Sequence, residues 1–166
     1  MAIFSEWLLV LTLVEALGCG LVAGIFFAFS SFVMKALGDL PAGQGMAAMQ
    51  AINIAVINPL FMLIFMGTAV LSLLLLIVAL LRWQEPEALY LLIGSSLYLG
   101  GSFLVTILFN VPKNDALAVL NPADPTGLDY WSGYLRGWTL WNHLRTVAAL
   151  LAMLALIIAL IEAKVH

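Results

Sequence analysis

Four long apolar runs alternate with shorter polar stretches along the chain. They cover about Trp7–Val33, Met46–Leu81, Ala88–Val111 and Trp138–Ile161, and each can cross a hydrocarbon layer ~30 Å thick as a helix. The second run would extend ~54 Å as one helix. Either its first third projects from the bilayer or it breaks at Asn58-Pro59, where proline removes a backbone N–H and crowds the preceding turn. KALGDLPAGQG reads as a turn between the first two runs, and the short QEPEA makes the second and third antiparallel neighbours. Pro112 is expected to stop the third helix, with Asn114 capping a short helix from Asp115 to about Leu120. Residues 121–137 form the longest polar connection, with NPADP as a rigid turn and Tyr130, Trp131 and Tyr134 at headgroup level. The expected fold is all-α. It is a single integral membrane domain over residues 1–166, a bundle of four transmembrane helices with antiparallel neighbours and a short helical or loop lid between the third and fourth.

Composition supports a multi-pass protein of the cell membrane. Of 166 residues 64% are hydrophobic and 9% charged, against ~25% charged in soluble domains. The net charge of −3, without a basic run, argues against a nucleic-acid partner. The lone Cys19 rules out an intrachain disulfide and reads as a small core residue. MAIFSEW has no basic residue, so the first run reads as a retained span instead of a cleaved signal. Both termini are expected on one side, ending in a polar tail of Glu162, Lys164 and His166. Arg82 and Lys164 balance Lys35, Lys113 and Arg136, so the basic residues set no orientation. Gly20 and Gly24, and Gly94, Gly100 and Gly101, create small-residue faces that suit packing within the bundle or across a homo-oligomer.

The polar residues inside these runs carry the candidate chemistry. In WSGYLRGWTLWNHLRT, residues 131–146, Trp138, Trp141, Asn142 and Arg145 fall on one helical face, which continues as Ala148, Ala149 and Ala152. Small residues admit a partner helix, so the face points inward, where an Arg and an Asn must be satisfied. The topology places Asn53, Asn58, Asn110 and Asn114 in the same leaflet. Amides, indoles and a guanidinium gathered under a lid predict a pocket for a hydrophobic small molecule or a lipid. His143 lies ~100° around the helix from Asn142, either edging into the pocket or anchoring at the interface. One His and a distant Glu are too few ligands for a transition-metal site, so no metal is expected. Glu15 sits in the opposite half of the first run. It reads as a proton carrier or general base, as a buried pair that sets helix register, or as the partner of Arg145 across the midplane.

GLVAGIFFAFSSFVMKALGDLP, MQAINIAVINPLF, FNVPKNDAL and WNHLRT together resemble the anthrone oxygenase-like family of small four-helix membrane proteins, over nearly the whole chain. The Asn-Val-Pro-x-Asn motif spans Asn110 to Asn114, and Trp-Asn-x-x-Arg spans Trp141 to Arg145. The resemblance implies oxidation of an anthrone to an anthraquinone by O₂ with no cofactor. The carbanion of such a ring system is electron-rich enough to reduce O₂ directly. The protein then has to bind the ring, remove a proton and stabilise the enolate oxygen. On this reading Trp138 and Trp141 stack on the ring, Asn110, Asn142 and Arg145 donate to the oxygen, and His143 takes the proton; Asn58 and Asn114 are candidate binding residues. Two other classes stay open: a small proton-coupled transporter that uses Glu15, and a structural or lipid-binding module.

Overall fold

The computed structural model describes residues 2–165, with side chains described over 6–163, so the expected polar tail at Lys164 and His166 lies outside the described side chains. Among the described residues every regular element is helical. α1 (Ala2–Ala28) passes through a π-helical stretch, Phe29–Val33, into α2 (Met34–Asp39). Then come α3 (Ala42–Ala55), α4 (Pro59–Leu81) and α5 (Ala88–Ser96). α5 continues through π-helical Leu97–Leu104 and Thr106–Asn110 into α6 (Val111–Ala118), and α7 (Pro125–Val165) closes the chain with 41 residues. Four stretches are long and apolar enough to cross a membrane: Glu6–Asp39, Pro59–Leu81, Ala88–Ala118 and Pro125–Ala163.

The four spans pack side by side, each against its neighbours in the order first, second, third, fourth and back to the first. Their shared core holds Val22, Phe26, Phe65, Leu75, Leu91, Tyr98 and Leu156. Small residues set the close approaches. A Cβ at Gly18 would collide with Thr68, at Gly94 with Leu156, and at Gly101 with Ala148. These glycines are used inside the bundle, whereas Gly24 and Gly100 face open space. A second core lies at one end, where α2, α3, α6 and the start of α7 bring together Met34, Leu37, Met46, Met49, Leu117, Trp131, Tyr134 and Trp138. This end is the lid. Gln50 of α3 ties it together by donating to the carbonyls of Leu117, in the last turn of α6, and Leu120, just beyond it, both at 2.9 Å.

The helix boundaries correct the sequence reading in four places. KALGDLPAGQG, expected as a turn, is helical on both sides of a short break at Leu40-Pro41, between α2 and α3. The second run does break at Asn58-Pro59, but its first third, α3, folds back onto the lid. Asn58 caps α4, accepting from the Phe61 N–H at 3.0 Å and donating to the Ala55 carbonyl at 3.0 Å. Pro112 does not stop the third span. It falls in the first turn of α6, where its missing N–H is tolerated, and the π-helical register before it absorbs the crowding. Asn114 is therefore inside a helix and caps nothing. Most of the expected connection 121–137 is also helical. Pro125 opens α7, and Trp131 and Tyr134 are buried in the lid core, two turns and one turn before Trp138, instead of lying among headgroups.

Candidate functional site

Where the two cores meet, the chain buries a guanidinium. Arg145 is 3% exposed. Its plane lies 4.0 Å from the Phe26 ring centroid, in the bundle core, and 5.1 Å from that of Trp138, in the lid core. Its Nη2 donates to Asn142 Oδ1 at 2.6 Å and its Nη1 to Thr106 Oγ1 at 3.1 Å. No carboxylate pairs with it among the described residues. A charge removed from water this far is costly unless hydrogen bonds and polarisable ring faces replace its hydration. Here two aromatic faces and two side-chain oxygens do so in part, and Nε stays unbonded.

The neighbours of Arg145 are equally buried. Asn142 lies one turn before it and is fully enclosed. Its Nδ2 donates to the Phe26 carbonyl and to Ser30 Oγ, both at 2.7 Å. Thr146 donates to the Asn142 carbonyl at 2.8 Å, and its Oγ1 lies 3.1 Å from Ser30 Oγ. With the Thr146 proton already committed, Ser30 is the donor in that pair and Thr146 Oγ1 its acceptor. Asn110 is fully buried and donates to the Trp138 carbonyl at 3.2 Å. Asn110 Oδ1, Trp138 Nε1 and Arg145 Nε have no partner, a cost of ~1–3 kcal/mol for each buried group left unmet. Ser30, Thr106 and Asn110 all lie in π-helical stretches. Such irregular turns re-aim side chains and recur at functional sites.

Ser30 also reaches the surface. It lines an open groove of about 460 Å³ along the seam between the first and fourth spans, together with Met34, Lys35, Leu135, Arg136, Thr139, Leu140 and His143. The hydrogen-bonded chain Arg145–Asn142–Ser30 thus runs from the sealed interior to the wall of a shallow, open groove.

Residues 61–155, more than half of the 166-residue chain, match the anthrone oxygenase family. The chain belongs to the anthrone oxygenase family. Neither a curated protein nor a solved structure matches it. The anthrone oxygenase match takes in Thr106, Asn110, Trp138, Asn142, His143 and Arg145, while Phe26 and Ser30 lie before it.

In this family member the expected site residues divide by place. Asn110, Trp138, Asn142 and Arg145 come together in the buried cluster. Trp141 is half-buried at its edge, one ring face stacked on Phe109 with centroids 3.7 Å apart. His143 is exposed and lines the groove, outside the buried cluster. Asn114 sits in the lid, where its Oδ1 accepts from the Tyr134 hydroxyl at 2.8 Å. Asn58 is exposed at the start of α4, apart from all of these. Glu15 does not meet Arg145. It is fully buried in the bundle, accepting from Ser72 at 2.6 Å and Ser95 at 3.4 Å. Among the described residues no three His, Cys, Asp or Glu side chains are grouped to hold a metal ion.

Ser30, Thr106 and Phe26 are the contributors that sequence reasoning missed. A hydroxyl in a membrane helix normally bonds the carbonyl one turn back, as Ser31 does to Phe27 and Thr106 to Ser102. Nothing in the sequence separates Ser30 from Ser31; only the packing of α7 against the first span does.

Proposed function

We propose that this protein sits in the cell membrane and uses O₂, without a cofactor, to oxidise a flat, enolisable aromatic ketone of the anthrone type. The ring lies along the groove between the first and fourth spans, against Met34, Leu135 and Leu140. His143, on the same groove, accepts the proton from the ring methylene. The charge moves onto the ketone oxygen, which accepts from the Ser30 hydroxyl as its one proton turns away from Thr146 Oγ1. Ser30 is a strong donor because a full positive charge polarises the chain behind it: Arg145 on the Asn142 oxygen, and the Asn142 amide on Ser30. The carbanion passes an electron to O₂, and recombination gives a hydroperoxide at the same carbon. Loss of the second hydrogen with cleavage of the O–O bond then gives the quinone and water. One anthrone and one O₂ become one anthraquinone and one water, so no outside reductant is needed.

The supporting observation is the guanidinium sealed in the bundle without a carboxylate and connected by hydrogen bonds to the groove wall. A cluster that only held helices together would gain nothing from a net charge, since neutral residues of similar volume pack at lower cost. The test is anthrone oxidation by purified protein in detergent, followed by quinone absorbance and O₂ uptake. Arg145→Gln, Ser30→Ala and His143→Ala should each lower kcat/KM by ~10²-fold. Wild-type protein that oxidises anthrone no faster than buffer would end the proposal.

A further inference from the structure

The groove has a charge pattern that the oxidation chemistry does not require. The chain is acidic overall, with nine Asp and Glu against six Lys and Arg and two His. Yet Lys35 and Arg136 both line this one groove, and no Asp or Glu does. The remaining wall is largely apolar, with Met34, Leu135 and Leu140. Arg136 forms no ion pair among the described residues. Lys35 pairs with Asp39 one turn on, at 2.6 Å, but both side chains are largely exposed. An exposed pair of that kind is worth ~0–1 kcal/mol and is readily exchanged for a better anion. Arg presents a planar fork that fits a carboxylate through two parallel bonds.

Resting on the reading of this groove as the substrate site, we infer that its occupant is a planar aromatic amphiphile bearing an acidic group, with the ring on Met34, Leu135 and Leu140 and the acid between Lys35 and Arg136. The basic pair selects the substrate, and Ser30 and His143, farther along the groove wall, act on the ring. A neutral anthrone would use only part of the site.

The test is equilibrium binding without turnover. Anthraquinone-2-carboxylate and its uncharged analogue 2-methylanthraquinone are titrated into purified protein in maltoside detergent, with quenching of tryptophan fluorescence as the readout. The acid should bind about tenfold more tightly than the neutral ring, and its affinity should fall as salt rises, since the contact is near the surface. Lys35→Gln with Arg136→Gln should abolish that preference while the neutral ring binds within about twofold of wild type. Should the double variant lose both ligands, Arg136→Gln alone, a change at an exposed position, carries the comparison. Equal binding of the two probes, or an unchanged preference in the variants, overturns the inference. So does displacement of the acid by short-chain phosphatidylglycerol but not phosphatidylcholine at matched concentration, which would make the groove a lipid-headgroup site. Binding with the expected preference but no oxidation would sink the oxidase reading and leave the acid site standing. Oxidation without the preference would do the reverse.

Discussion

Two buried ionisable side chains in the same bundle meet opposite surroundings. Arg145 is packed between rings and amides, with part of its hydrogen-bonding capacity unused, beside a chain that reaches the groove. Glu15 is enclosed by Ser72 and Ser95, with one carboxyl oxygen bonded and the other not. Neither neutralises the other. We therefore expect them to separate under mutation. Glu15→Gln keeps an acceptor for Ser72, so thermal stability and anthrone oxidation should stay near wild type. Glu15→Leu removes that acceptor and should cost ~1–3 kcal/mol in a detergent melting experiment. A Glu15→Gln variant that keeps its stability but abolishes resistance of expressing cells to cationic dyes would move the assignment to proton-coupled transport. The inward face of Trp138, Asn142 and Arg145 was legible because helical periodicity carries a polar stripe straight into an alanine stripe. The partners were not. A side chain with five donors can be satisfied by a carboxylate or by hydroxyls and amides, and only helix packing selects between them.

Helices in this protein end where packing ends, more than where breakers fall. Pro112 and Pro125 sit in first turns, where proline costs little, and Pro59 opens α4 behind the Asn58 cap. The breakers were plain in the sequence, but whether each one stops or starts a helix depends on what the next turn buries. After Pro112 that is Leu117, and after Pro125 it is Trp131. Glycines show the same dependence. Gly100 and Gly101 are adjacent and identical, yet only Gly101 faces a neighbour, Ala148 of α7. Gly101→Val should destabilise the third and fourth spans by ~1–3 kcal/mol through overpacking, while Gly100→Val should change stability by less than ~1 kcal/mol. Comparison of the two by thermal aggregation in detergent checks the side of the helix directly. Equal losses would show that the third span is rotated from the orientation described.

The molecule joins a four-span apolar bundle to a lid of shorter helices, and the polar cluster lies at their junction. This arrangement lets a charged group be built into a hydrophobic protein, because the lid core seals it from one end and the bundle core from the other. The lid is held partly by Gln50, so Gln50→Ala should break two ties between α3 and the end of α6 and raise hydrogen exchange in α3 and α6 at least tenfold. Exchange within α4 and α5 should not change. If the bundle loosens equally, lid and bundle are one cooperative unit and the lid cannot move alone.

Helix as the regular structure of the described residues, four spans, and a polar face on the last of them follow from the order of residues. Apolar length and helical periodicity are local quantities, and in a bilayer a long continuous apolar run satisfies its own backbone as a helix. Which oxygen meets Arg145, that Ser30 carries the interior to a groove, that Glu15 stands elsewhere, and that prolines begin helices here all depend on residues as many as 116 positions apart being brought into contact. Such contacts are chosen by the shape and volume of opposing faces, and a single strand of sequence does not contain the opposing face.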